Sequence, residues 1–153
     1  MYVDQVICQL KYSVKSVLQL MEQLKEEDLS FRPILHKKSI GELLQHICEL
    51  IEADLFISKG SSYEEMEKHY QSVKCISIEE MRYLLKDGLT KLESTYMDLN
   101  EDELNHKNTS YWGVNYTRFE WLLEILVHFT HHRAQLHMLM VQKFGDINIS
   151  LFE

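Results

Sequence analysis

Residues 117–144 read TRFEWLLEILVHFTHHRAQLHMLMVQKF. Leu122, Leu123, Ile125, Leu126, Phe129, Leu136, Leu139, Met140 and Phe144 fall mostly three or four positions apart, the period of an amphipathic helix. Thr117 followed by Glu120 predicts a capping box at its start, and Gly145 suits its end. Within this run His128 and His132 lie four residues apart, so a helix sets both rings on one face, one turn apart. Such a pair can hold two sides of one metal ion, and imidazole suits zinc, nickel or iron. Two imidazoles do not complete a site. The candidate for the third is His46, on another helix.

Working outward, the same period recurs. From Asp4 to about Glu27, Val6, Leu10, Val14, Val17, Leu18, Met21 and Leu24 form an apolar stripe, with Ser, Gln, Lys and Glu between them on a wet face. The acidic run Glu26-Glu27-Asp28 disfavours extension at a helix carboxyl end, and Arg32-Pro33 breaks the pattern. Ser39 and Glu42 predict a second capping box. The helix they open runs to about Ser58, with Ile40, Leu43, Leu44, Ile47, Ile51 and Leu55 on its greasy face. His46 sits among these residues, and Glu49 is one turn on. Tyr63 to Ser72 reads as a short, charged helix within a long crossover. Ser77 and Glu80 open a third long helix reaching about Met97, with Met81, Leu84, Leu85, Leu89, Leu92 and Tyr96 in register. Gly88 within it costs about 1 kcal/mol relative to alanine. Leu99 to Asn115 reads as an irregular polar loop, long enough to cover or shape a pocket. The tail after Gly145 offers Ile147, Ile149, Leu151 and Phe152 to the body or to a partner. The expected fold class is all-α: a four-helix bundle in one domain, residues 1–153, with a long crossover between the second and third helices.

The totals agree with this reading. With 45% hydrophobic and 26% charged residues in 153, the chain can bury one sizeable core and is not a disordered segment. One proline and five glycines leave room for long helices. A net charge of -8 opposes attraction to a phosphate backbone, so no nucleic acid is expected. No apolar run approaches a membrane span and no signal peptide is evident, so neither membrane nor secretion is expected. Cys8, Cys48 and Cys75 show no paired spacing and read as reduced, buried thiols of a cytoplasmic protein. The glycosylation triplets at Asn108, Asn115 and Asn148 then carry no weight.

Three histidines would leave one coordination position open, as catalytic rather than structural zinc sites do. A water or thiol at that position can lose its proton near neutral pH. The bland alternative for each residue is structural. A mid-helix His46 can be satisfied by a core hydrogen bond. Glu49 and Glu124, each one turn from a candidate ligand, either orient an imidazole, act as a base or are simply solvated. Gln135 either faces the pocket and hydrogen-bonds a ligand or is an exposed helix former. His131 points about 100 degrees away from His132, and His137 is off the stripe; both read as structural or surface residues. Arg133 offers an anion site, an ion pair or a helix-surface contact. Tyr12, Tyr111 and Tyr116 carry hydroxyls that could reach a cavity, and Trp112 closes a pocket or anchors its loop.

Leu29-Ser30-Phe31-Arg32-Pro33, then Ser39-Ile40-Gly41-Glu42-Leu43-Leu44-Gln45-His46, together with His128, His132, Arg133 and Gln135, resembles the DinB-like superfamily. That group of four-helix metalloproteins includes the YfiT-like thiol transferases. Ala134 stands where glycine is common, a change expected to bear on close helix packing alone. The resemblance implies an up-down-down-up bundle, a divalent metal (zinc or nickel) on His46, His128 and His132, and a homodimer. It also implies a small-molecule substrate and, among the enzymes, a low-molecular-weight thiol cosubstrate.

The leading expectation is therefore a metal-dependent thiol transferase. Metal-assisted hydrolysis is the second enzymatic reading, with Glu49 or Glu124 handling a proton. The remaining readings are a non-catalytic protein that binds metal or a small ligand, and a helical dimer whose histidines only satisfy core polarity.

Overall fold

Polar caps decide where the helices begin. The computed structural model describes residues 2–152. It contains α1 (Tyr2–Glu22), α2 (Ile40–Ile57), α3 (Tyr63–Ser72), α4 (Ile78–Met97), α5 (Glu101–Asn105), β1 (Lys107–Thr109), β2 (Asn115–Thr117) and α6 (Arg118–Phe144). Ser39 with Glu42 and Thr117 with Glu120 form both hydrogen bonds of the capping box at α2 and α6. At α4 only half of that box forms: the Ser77 hydroxyl accepts from the Glu80 N–H, but the Glu80 carboxylate turns to the Ile76 N–H at 2.8 Å. Ser62 with Glu65 and Asn100 with Glu103 make boxes at α3 and α5. At its other end α6 stops at Gly145, whose φ of 82° a side chain rarely adopts.

The four long helices contact one another in a ring: α1 on α4 and α6, α2 on α4 and α6. Leu10, Val17 and Leu20 of α1, Leu44, Ile47 and Ile51 of α2, Leu85 and Leu92 of α4, and Leu122, Phe129 and Leu136 of α6 are wholly enclosed at its centre. Two close approaches set the spacing. A Cβ on Gly41 would stand 3.0 Å from the Leu29 carbonyl oxygen, so the start of α2 lies directly on the 3-10 turn Glu26–Ser30. A Cβ on Gly88 would meet the Glu52 Cβ at 3.4 Å, which explains a helical glycine where α4 crosses α2. Beside it the buried Glu52 carboxylate is paired with Lys91.

Several expectations change. Helix α1 ends at Glu22, and the acidic run forms the separate 3-10 turn, with Asp28 accepting from the Lys25 N–H at 2.8 Å. Ser13 and Ser16 are not on a wet face; they are buried against Arg133. Cys48 is enclosed, but Cys8 is exposed. Residues 99–115 are not an irregular loop. They hold α5 and one arm of an antiparallel hairpin in which Asn108 pairs with Tyr116. No helix among the described residues is long and apolar enough to cross a membrane.

Candidate metal centre

Helix α2 brings His46 and Glu49 to the surface it shares with α6, and α6 brings His128, His132 and Gln135. One potential ligand atom from each of His46, His128 and His132 lies within 4.8 Å of the others. His46 Nε2 and His132 Nε2 are 3.1 Å apart. The ring centroids are 4.5 Å apart for that pair, 4.8 Å for His128 and His132, and 5.7 Å for His46 and His128.

The outer nitrogens explain why the inner ones converge. Asp54 Oδ2 lies 2.8 Å from His128 Nδ1, and a carboxylate can only accept, so that nitrogen carries the proton. Gln135 Oε1 accepts from His132 Nδ1 at 2.8 Å, while the Gln135 amide donates to His131 Nε2 at 3.1 Å. Glu49 Oε1 stands 3.8 Å from His46 Nδ1, as a nearby charge rather than a hydrogen bond. With Nδ1–H fixed in His128 and His132, each keeps the Nε2 lone pair for a ligand, and that of His132 faces His46 Nε2. The gap between His46 and His132 closes if His46 donates a proton across it, or if a cation lies between them. One proton between two rings does not employ the third lone pair; a divalent ion employs all three. At ligand distances of roughly 2.0–2.1 Å, tetrahedral nitrogens stand about 3.3 Å apart, close to the 3.1 Å between His46 and His132 Nε2. The donor set thus fits a metal ion, and it is open: 30% of the His46 side chain and 32% of that of His128 remain exposed.

Glu49 is itself held. Gln45 donates to Glu49 Oε2 at 2.9 Å and to the Val73 carbonyl at 3.1 Å, and accepts from the Cys75 N–H at 3.0 Å. One amide therefore pins the crossover to α2 beside His46. The hydrogen bond that His128 donates to Asp54 raises the His128 pKa above the ordinary histidine value against a counteracting burial penalty. Burial lowers that of His132. Burial pushes the Tyr70 phenol up to about 12, with the Asp54, Tyr111 and Glu49 charges in the same sense, so Tyr70 stays protonated on this side of the site.

The remaining candidates fall elsewhere. Glu124 is exposed and makes no hydrogen bond to a histidine among the described residues; the outer nitrogen of His128 goes to Asp54. His131 meets the site through Gln135 and by packing its ring on His132 at 5.0 Å, and His137 is partly exposed off the cluster. Trp112 packs on Tyr111 at 4.7 Å and on Trp121 at 6.3 Å, while Tyr111 meets Tyr63 of α3 at 5.6 Å, so the hairpin tip is anchored by rings. Tyr116 packs on Trp121, and the Tyr12 hydroxyl bonds Ser150 at the opposite side of α1. Ala134 is exposed, so its methyl meets no close helix packing. Sequence reasoning missed Asp54. It lies eight residues after His46 and its identity as an acid is unremarkable; only the crossing of α2 with α6 brings it to His128.

The fold and these residues together define a helical protein with a three-histidine site able to hold a metal ion. The sequence model of the DinB family matches residues 3–147, and the chain belongs to that family. A DinB-family protein from Exiguobacterium sibiricum superimposes with a TM-score of 0.88 at 29% identity, over 99% of this chain and 97% of its own. A DinB-like protein from Bacillus subtilis gives 0.70 at 19% identity, over 95% of each chain. A mycothiol-dependent maleylpyruvate isomerase shares the fold with a TM-score of 0.67 at 12% identity, over 88% of this chain and 60% of that enzyme. No curated protein sequence matches the chain.

Asp54 and Glu124 provide an internal comparison. Asp54→Asn is expected to weaken divalent-metal binding by about 10- to 100-fold, because the amide can present the wrong dipole to Nδ1. Glu124→Gln is expected to leave affinity within about twofold, since Glu124 is exposed and hydrogen-bonds no histidine among the described residues. Competition titrations with a zinc-sensitive chelating dye check both; equal effects would mean that Asp54 does not orient His128.

Proposed function

We propose that this protein is a divalent-metal-dependent enzyme that transfers a low-molecular-weight thiol to an electrophilic small molecule. The observation that carries the proposal is the convergence of three partly exposed imidazoles, two of which, His128 and His132, have their outer nitrogens hydrogen-bonded. His46, His128 and His132 would hold the ion, and zinc and nickel both suit such a set. Bound there, a divalent cation would lower the pKa of a thiol and so supply thiolate at neutral pH.

The chain's own residues do the rest. Asp54 and Gln135 hold the His128 and His132 rings by their outer N–H groups, so no reorientation is needed when substrate arrives. Glu49, steadied by Gln45, lies where it can accept the thiol proton or keep His46 in register. In the transfer a sulfur–carbon bond forms, the bond from carbon to its leaving group breaks, and the leaving group departs with the electron pair. Glu124, exposed one turn before His128, belongs to the proposal as a nearby charge or a base rather than as a hydrogen-bond partner of the ring. The mycothiol dependence of a protein with the same fold supports the choice of a thiol over water as nucleophile.

The wider reading is an up-down-down-up bundle acting as a cytoplasmic homodimer. The pairing of His46 with His132 and of Asp54 with His128 supports opposite senses for α2 and α6. An apolar groove of about 440 Å³ along α1 and α6, lined by Tyr2, Val6, Phe119 and Leu126 among others, supports a partner face.

The test is to incubate protein loaded with zinc or nickel with a panel of thiols and a chromogenic aryl halide. The expected result is conjugate formation that needs both metal and thiol and falls to background in His132→Ala. Product formed without thiol would favour hydrolysis instead, and tight binding without turnover would favour a binding protein.

A further inference from the structure

We propose that Arg133 forms a second binding site, for the carboxylate of a small organic acid, on the side of α6 that faces α1. Arg133 is 3% exposed and is paired with no acidic side chain among the described residues. A buried cation without a counter-anion is costly, and the expected remedy is an anion on its free hydrogen-bonding edge. The edge is identifiable. Nη1 is fully employed, donating to Ser16 Oγ at 3.2 Å, to Ser13 Oγ at 3.4 Å and to the Leu151 carbonyl at 2.8 Å. Nε is buried with no partner, and Nη2 makes no hydrogen bond among the described residues. Nε–H and Nη2–H form the planar fork that a carboxylate occupies with both oxygens.

Arg133 lines a cavity of about 270 Å³ with Tyr12, Ser13, Leu126, Thr130 and Phe152, and its Nε is closed to solvent in the present packing. The hydroxyls are not equivalent. Ser16 donates to the Ser13 carbonyl and Thr130 to the Leu126 carbonyl, so neither has a proton to offer. The Ser13 hydroxyl only accepts, from Arg133, and keeps its own proton for a ligand. Leu126 and Phe152 give the other wall an apolar character, and the volume is that of a short-chain or benzenoid acid. Phe152 covers the guanidinium, with its ring centroid 5.2 Å from Cζ, and is itself 74% exposed, so entry requires moving one surface ring. The site is separate from the three histidines and does not depend on the thiol-transfer reading.

The experiment follows the Arg133 Nε–Hε resonance of the full-length protein by NMR during titration with sodium propionate and sodium benzoate, at ionic strength held constant with sodium chloride. The expected result is a saturable shift with either acid, weakened several-fold in Ser13→Ala; in Arg133→Lys, which has no such resonance, the rise in Tm that saturating acid gives the wild type is lost. Circular dichroism establishes that each variant is folded, and Ser13→Ala carries the test if Arg133→Lys is not. The shift should persist in His46→Ala, which excludes the histidine site as its origin. A non-saturating response matching sodium chloride, or a saturable response to inorganic phosphate but to neither carboxylate, would overturn the proposal.

Discussion

His132→Ala is expected to abolish stoichiometric divalent-metal binding while the helices persist. His132 supplies the Nε2 that stands 3.1 Å from that of His46, and its outer nitrogen is held by Gln135. Removing it leaves two imidazoles, and the loss of one of three protein ligands should weaken binding by about 100-fold or more. Little of the fold depends on the ring, which lies at the edge of the core beside the enclosed Phe129 and Leu136. Elemental analysis of untagged protein after dialysis checks this: near one ion per chain in the wild type, and close to none in the variant, with an unchanged far-ultraviolet spectrum. Protons compete for the same lone pairs, so affinity must fall as pH drops. His128, raised by Asp54, takes up its proton first as pH falls, and His132, lowered by burial, takes it up later. In the metal-free protein the sign is opposite for the His128–Asp54 pair. Its stabilisation is fully present below the unfolded histidine value of about 6.5 and is lost as pH rises through the raised folded value.

Phe129→Ala is expected to produce the largest loss of stability of any single change near the site. Phe129 follows His128 directly but points the other way, into the ring of four helices, where it is fully buried. Truncation removes a large apolar surface and leaves a cavity that the close-packed core around it cannot fill. The expected cost is about 3–5 kcal/mol, a fall in Tm of roughly 10 °C for a chain of this size. Urea denaturation of metal-free protein checks it. A loss below about 1 kcal/mol would mean that the α6 register inferred for His128 and His132 is wrong.

Much of this arrangement could be read from residue order because it is governed by local rules. The α6 stripe, the Ser39 and Thr117 caps and Gly145 each act within a few residues of themselves. The same locality places His128 and His132 on one face. What escaped depends on contacts between distant segments. Asp54 reaches His128 only because α2 crosses α6, and Ser13 and Ser16 are buried only because Arg133 comes to them from the other end of the chain. The stretch after Leu99 misled because short elements give little periodicity. Its hairpin is held by a turn at Gly113, by Asn108 donating to the Ser58 carbonyl at 2.8 Å and by the ring contacts of Trp112 and Trp121. Half of the Ser77 box failed because the Ile76 N–H, one residue upstream, took the carboxylate.

The central claim is that His46, His128 and His132 share one divalent cation through Nε2. Anomalous diffraction at the zinc or nickel edge, from crystals of metal-saturated protein, measures this directly. The account predicts one strong peak per chain, roughly 2.0–2.1 Å from all three Nε2 atoms if the ion is zinc. A saturated crystal with its metal elsewhere, and the three rings joined only by hydrogen bonds, would contradict it.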